Sequence, residues 1–102
     1  MSKTNTTAAT DIEGGPKRFT LAKPYEYRGT RYESFTLREP RIRDVRIFLK
    51  AAEVDTILAV EGALANLAQV DEPVMGELSP KDFGVLKRWF ETHLADLAGD
   101  AV

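Results

Sequence analysis

The 102-residue chain contains no cysteine. That excludes a disulfide framework and a thiolate metal site. Its only histidine is His93, so a histidine-rich metal site is excluded as well. No apolar run reaches the roughly 18 residues that a membrane-spanning helix needs. The opening Met1-Ser2-Lys3-Thr4-Asn5-Thr6-Thr7 lacks the apolar stretch of a secretory signal, and a cytoplasmic protein is expected. The seven glycines are scattered. They form neither G-x-x-x-x-G-K nor G-x-G-x-x-G, so no phosphate-binding loop is present. Excess positive charge is also missing. The formal net charge is −2, which argues against strong non-specific affinity for nucleic acid.

What remains is ordinary globular material, with 43% hydrophobic and 29% charged residues. The length suits one domain with one core and little room for an enclosed active-site cavity.

Residues 1–16 are rich in Thr, Ala and Gly and end in Gly14-Gly15-Pro16. Their only large apolar residues are Met1 and Ile12, too few to offset the entropy of ordering, so a disordered tail is expected there. A single α+β domain is expected over residues 17–98, followed by a short tail, 99–102. Phe19 and Leu21 alternate with Thr20 and Ala22, Tyr25 and Tyr27 follow, and beyond Arg28-Gly29-Thr30 come Tyr32, Phe35 and Leu37. Aromatic and apolar residues on either side of a glycine predict a β-hairpin. A two-residue loop at Arg28-Gly29 would pair Tyr25 with Tyr32 but set Leu21 opposite Thr36. Apolar matching asks for Leu21 opposite Leu37. A three-residue loop or a bulge would reconcile the two, with Pro24 the natural place for a bulge.

Pro40 ends the hairpin and the period turns helical. Ile42, Val45, Phe48, Leu49 and Ala52 share one face of a first helix; Val54, Ile57, Val60, Leu64, Leu67 and Ala68 share one face of a second. Near Glu53 the pattern fits either two helices or one bent helix. Asp71-Glu72-Pro73 ends the second helix, and Val74 to Leu78 read as a connector of about one helical turn. Ser79-Pro80-Lys81-Asp82 is a helix start, with Ser as cap, Pro in the first turn and Asp where a capping box places an acid. The third helix aligns Phe83, Leu86, Phe90, Leu94 and Leu97, with Gly99 as terminator. The expected fold is therefore α+β: an N-terminal β-hairpin followed by a small bundle of two or three helices.

No group of residues asks for catalysis. Asp44, Glu53, Asp55 and Glu61 interleave with Arg43, Arg46 and Lys50, as on solvated helix faces, rather than pairing in a pocket. His93 has no nucleophile to serve, and Ser79 is committed to a cap. No cofactor is implied. The densest basic stretch, Arg38 to Lys50, supports an alternative reading as a small nucleic-acid-binding regulator. It lacks the interleaved aromatics of a stacking platform, and the reading as a solvated face with Glu39 and Asp44 as partners is preferred.

Thr20-Leu21-Ala22-Lys23-Pro24, then Gly29, then Phe35-Thr36-Leu37-Arg38-Glu39-Pro40, then Asp44, resembles the start of the phage tail assembly chaperones of Mu-like and P2-like contractile-tail phages. The Leu-Arg-Glu-Pro tetrad followed by an Asp in the next helix is the most specific part. An alanine- and leucine-rich helix, an acidic connector with a proline, and Leu78-Ser79-Pro80-Lys81-Asp82-Phe83 extend the likeness over roughly residues 19–97. Arg41-Ile42-Arg43 is more basic than the family pattern, and the N-terminal tail has no counterpart in it. The resemblance implies a non-enzymatic chaperone of tail morphogenesis in the host bacterial cytoplasm, not carried in the mature virion. Its implied partners are the tape measure protein, which it would keep soluble, the tail tube protein, and a longer form of itself made by ribosomal frameshifting. A chain ending at Ala101-Val102 suits the shorter product.

A partner surface follows from helical spacing of about 100° per residue. With Ile42, Val45, Leu49 and Ala52 on the core face of the first helix, Ile47 lies on the far side. Leu58 stands off the stripe of Ile57, Leu64 and Leu67, and Val85 and Trp89 flank the stripe of the last helix. Ile47, Leu58, Val85 and Trp89 are therefore the candidate partner-binding residues. The competing readings are single exposed apolar residues or a homo-oligomer contact.

Overall fold

The computed structural model describes residues 16–99, with side chains through Ala95. The expected N-terminal tail lies outside the described residues apart from Pro16, as does the C-terminal tail apart from Gly99. Two antiparallel strands, β1 (Lys17–Tyr27) and β2 (Thr30–Leu37), precede four helices: α1 (Ile42–Ala52), α2 (Thr56–Ala68), α3 (Glu72–Gly76) and α4 (Pro80–Gly99). The hairpin-then-helices order and the α+β class are those expected. The one-turn connector is α3, and the break near Glu53 separates two helices.

The hairpin turn has two central residues, Arg28 (φ 52°) and Gly29 (φ 84°), both in the left-handed region. That is the backbone of a type I′ turn, whose twist matches that of the strands. Tyr27 pairs with Thr30 and Tyr25 with Tyr32, but further out Thr20 pairs with Ser34 and Lys17 with Leu37. Leu21 to Pro24 therefore face Glu33 alone. The bulge does fall at Pro24, but it shifts the register opposite to the expected sense, so Leu37 faces Lys17 rather than Leu21. Leu21 reaches the core from within the bulge, where it is buried.

The bulge is held by α4. The N–H groups of Ala22 and Lys23 donate to the Asp82 carboxylate at 2.8 and 3.0 Å. Ser79 caps α4 through its Oγ, which accepts the Asp82 N–H. Asp82 does not complete the expected capping box. Its buried carboxylate accepts from the Ser79 hydroxyl and the two strand N–H groups instead. Burial pushes this carboxyl up, but those three donors outweigh it and hold it below the ordinary carboxylate range.

The core lies between the hairpin and the helices. Leu37, Val60, Leu64, Leu67, Met75, Leu86 and Phe90 are almost wholly excluded from water. Each such side chain contributes roughly 1.5–3 kcal/mol by burial. Phe48 of α1 meets Phe90 of α4 edge-to-face at 5.0 Å, and Phe19 of β1 meets Trp89 at 5.6 Å. Tyr25 donates its hydroxyl to the Val74 carbonyl, pinning β1 to α3. Burial, with Tyr32, Glu77 and Asp82 nearby, pushes that phenol up to about 12.

The α1 core face differs from the one expected. Its buried residues are Asp44, Val45 and Phe48, whereas Ile42 and Leu49 are 57% and 52% exposed. The helix is rotated by about 70° from the purely apolar phase, using 100° per residue. Asp44 draws it round. Its carboxylate takes two bonds from Arg38 at 2.8 and 3.1 Å, one from the Arg41 N–H at 2.8 Å and one from Asn66 at 2.9 Å. Four donors make burial of a carboxylate tolerable. In α2, Val60, Leu64 and Leu67 are buried as expected, while Ile57 is exposed and Val54 lies in the loop before the helix.

Candidate functional site

α2 reads Thr56-Ile57-Leu58-Ala59-Val60-Glu61-Gly62-Ala63-Leu64-Ala65-Asn66-Leu67-Ala68, with Glu61 its only charged residue. A helix apolar on nearly every face either sits inside a core or offers a surface to a partner. Here α1, the hairpin, α3 and α4 all pack against it, yet one strip stays open. Alongside α1 it forms a groove of about 530 Å³.

Helical spacing builds this groove. From α2 it is lined by Leu58, Ala59, Gly62, Ala63 and Asn66, positions that recur every three or four residues. From α1 come Asp44, Ile47, Phe48 and Ala51, with the same spacing. Phe48 and Ala59 are buried in its floor, while Ile47 and Leu58 stand 66% and 51% exposed. Small residues between them keep the floor open. Val54 and Asp55 close one end, where the Asp55 carboxylate caps α2 by accepting the Leu58 N–H at 3.0 Å. Asp44 and Asn66, already bonded to each other, close the opposite end.

Two of the four sequence candidates, Ile47 and Leu58, therefore meet across one groove. Val85 and Trp89 do not line it. Val85 is exposed on α4, and Trp89 is half-buried against Phe19 and His93, the latter at 4.8 Å. Exposed Val54 and the small residues Ala51, Gly62 and Ala63 belong to the groove and were not singled out from sequence. Their signal was the near-continuous apolar character of α2.

The Leu37-Arg38-Glu39-Pro40 tetrad and Asp44 have a structural task. Leu37 is buried, the Arg38 N–H donates to the Leu67 carbonyl at 3.1 Å, and the Arg38 guanidinium grips Asp44 bidentately. A model of the family described as "Phage tail assembly chaperone proteins, E, or 41 or 14" matches residues 18–92, well over half the chain. The chain belongs to this family of phage tail assembly chaperones. Such a chaperone acts in tail assembly through contact with tail proteins, and the family is in general non-enzymatic. No curated protein and no solved structure matches the chain at a significant level. Among the described residues of this chaperone, no group of three His, Cys, Asp or Glu side chains is placed to hold a metal ion. Among the described residues no helix is long and apolar enough to cross a membrane.

Proposed function

We infer that this chaperone binds the tape measure protein in the host bacterial cytoplasm, keeps it soluble, and helps recruit tail tube subunits around it, with no catalytic step. The observation that carries this reading is the open apolar groove walled by Ile47 and Leu58. A tape measure chain is long and helical, and its apolar stripes aggregate until the tube encloses them. A groove between two helices suits such a stripe through helix-in-groove recognition. Modest affinity per copy suffices, because many copies along one chain act together.

The test is co-expression with the tape measure protein of the same phage. The wild-type chain should co-purify with it and raise its soluble fraction. Ile47→Asp and Leu58→Asp should fold normally and lose both effects. Folded variants that co-purify at the wild-type level would show this surface assignment to be wrong.

The basic stretch gives the rival nucleic-acid reading less support than the bare sequence did. Arg38 is consumed by Asp44, and Phe48, the aromatic residue within α1, is buried.

A further inference from the structure

The walls of the α1–α2 groove carry opposite charge. On the α1 side, Arg43 and Lys50 lie one turn before and one turn after Ile47, on the same outer ridge, and both are exposed. On the opposite side, Glu72 at the start of α3 leans over the middle of the groove. A Cβ placed on Gly62 would stand 3.7 Å from its Oε2. Among the described residues the ion pairs are Arg31–Glu33, Arg38–Asp44 and Lys87–Glu91, so Arg43, Lys50 and Glu72 enter none of them. Of the two other acids at the groove, Asp44 is neutralised by Arg38, and Asp55, which accepts the Leu58 N–H, keeps its charge at the end of the groove rather than along a wall. Between the walls the floor is uncharged.

Along α2 the lining runs from Asp55 to Asn66. At 1.5 Å per residue that is about 16 Å, or three turns of a partner helix. We propose that the groove takes an amphipathic helix of about three turns with unlike flanks, acidic along the side that meets Arg43 and Lys50 and basic along the side that meets Glu72. Turning a helix end for end exchanges its flanks. The unlike walls therefore set the direction in which the partner lies as well as its composition. The proposal rests on the reading of this groove as the partner site, but not on which protein supplies the helix.

The experiment uses three labelled helical peptides of about 14 residues, four turns, with one shared apolar stripe. One has a Glu flank and a Lys flank, one has Lys on both, and one has Glu on both. Binding to the whole chain is followed by fluorescence anisotropy at low salt. The split peptide should bind roughly three- to tenfold tighter than either other, the range expected of a few exposed charge pairs. Ile47→Asp should lose all three. Reversing one wall with Arg43→Glu and Lys50→Glu should make the all-Lys peptide the tightest. Equal affinities, a single-sign preference in the wild type, or no binding would overturn the proposal. So would a doubled mass at sedimentation equilibrium that Ile47→Asp abolishes, because a second copy would then fill the groove. If the charge preference is absent while the tape measure still co-purifies through Ile47, this inference fails alone. If the preference holds without co-purification, the proposed function fails alone.

Discussion

The carboxylate of Asp82 accepts the backbone N–H of Ala22, 60 positions earlier in the chain, at 2.8 Å. Strand and helix meet here through a side chain that replaces the missing strand partner. Asp82→Ala strands the N–H groups of Ala22 and Lys23 and should cost about 1–3 kcal/mol. Urea denaturation measures it. A loss below about 0.5 kcal/mol, the level of an ordinary surface change, would mean that water satisfies the bulge equally well.

Stability should fall in acid through Asp44. The Arg38 guanidinium, aided by the Arg41 N–H and Asn66 and opposed by burial, lowers this carboxyl from 3.8 to about 2. A carboxyl depressed in the folded state stabilises the fold above its unfolded value and loses that contribution as pH falls through the folded value. The window therefore runs from about pH 4 down to about pH 2. The contribution is on the order of 2 kcal/mol at neutral pH. Asp44→Asn should flatten this part of the stability–pH curve. An unchanged slope between pH 4 and pH 2 would contradict the assignment.

Removing Arg38 is the harsher change. Arg38→Ala leaves a buried carboxylate with Asn66 and one backbone N–H, and should cost about 3–5 kcal/mol. Asp44→Asn combined with Arg38→Ala should lose less than the sum of the two single losses. Simple additivity in a double-mutant cycle would show that the pair is not coupled.

The four candidate partner residues should separate by stability. Ile47→Asp and Leu58→Asp should stay within about 0.5 kcal/mol of wild type. Trp89→Ala should cost about 1–3 kcal/mol, less than a fully buried aromatic, because Phe19 loses its edge contact. Circular dichroism melts of the three variants decide it. A collapse of the Ile47 variant would place that side chain in the core.

Backbone strain offers a test independent of the groove. Gly29 has φ +84° and open space around its would-be Cβ, so Gly29→Ala should cost about 1 kcal/mol through conformation alone. Gln69 ends α2 with φ 61°, and Gln69→Gly should stabilise by a few tenths of a kcal/mol up to about 1. Opposite signs are the expected result in thermal melts. Matching signs would refute the strain argument.

Elements whose determinants are local were legible in the sequence. Pro40 separates two hydrophobic periods, Ser79-Pro80 announces a helix, and Pro24 marks a bulge. What failed was long-range. No pattern within β1 tells that Asp82 will supply acceptors to Ala22 and Lys23, so the direction of the register shift could not be read. Nor does α1 alone reveal that Arg38 and Asn66 make Asp44 a buried residue, and the helix phase drawn from Ile42 and Leu49 was wrong for that reason. Ile47 and Leu58 are exposed despite this error, because Ile47 lies off either version of the α1 core face and Leu58 off the buried stripe of α2. That they face each other required the α1–α2 packing itself.

The separation of Ala22 from Asp82 also has a temporal side. A ribosome delivers the chain in order, and domains close as their segments appear. Every residue that lines the α1–α2 groove, through Glu72, is synthesised before the first residue of α4. The bulged strand, although made before the helices, has no protein acceptor for two of its amides until Asp82 arrives. That contact spans 60 positions of the chain, and it cannot form earlier. During synthesis, then, a strand made before all the helices gains its last two partners only after the groove residues are in place.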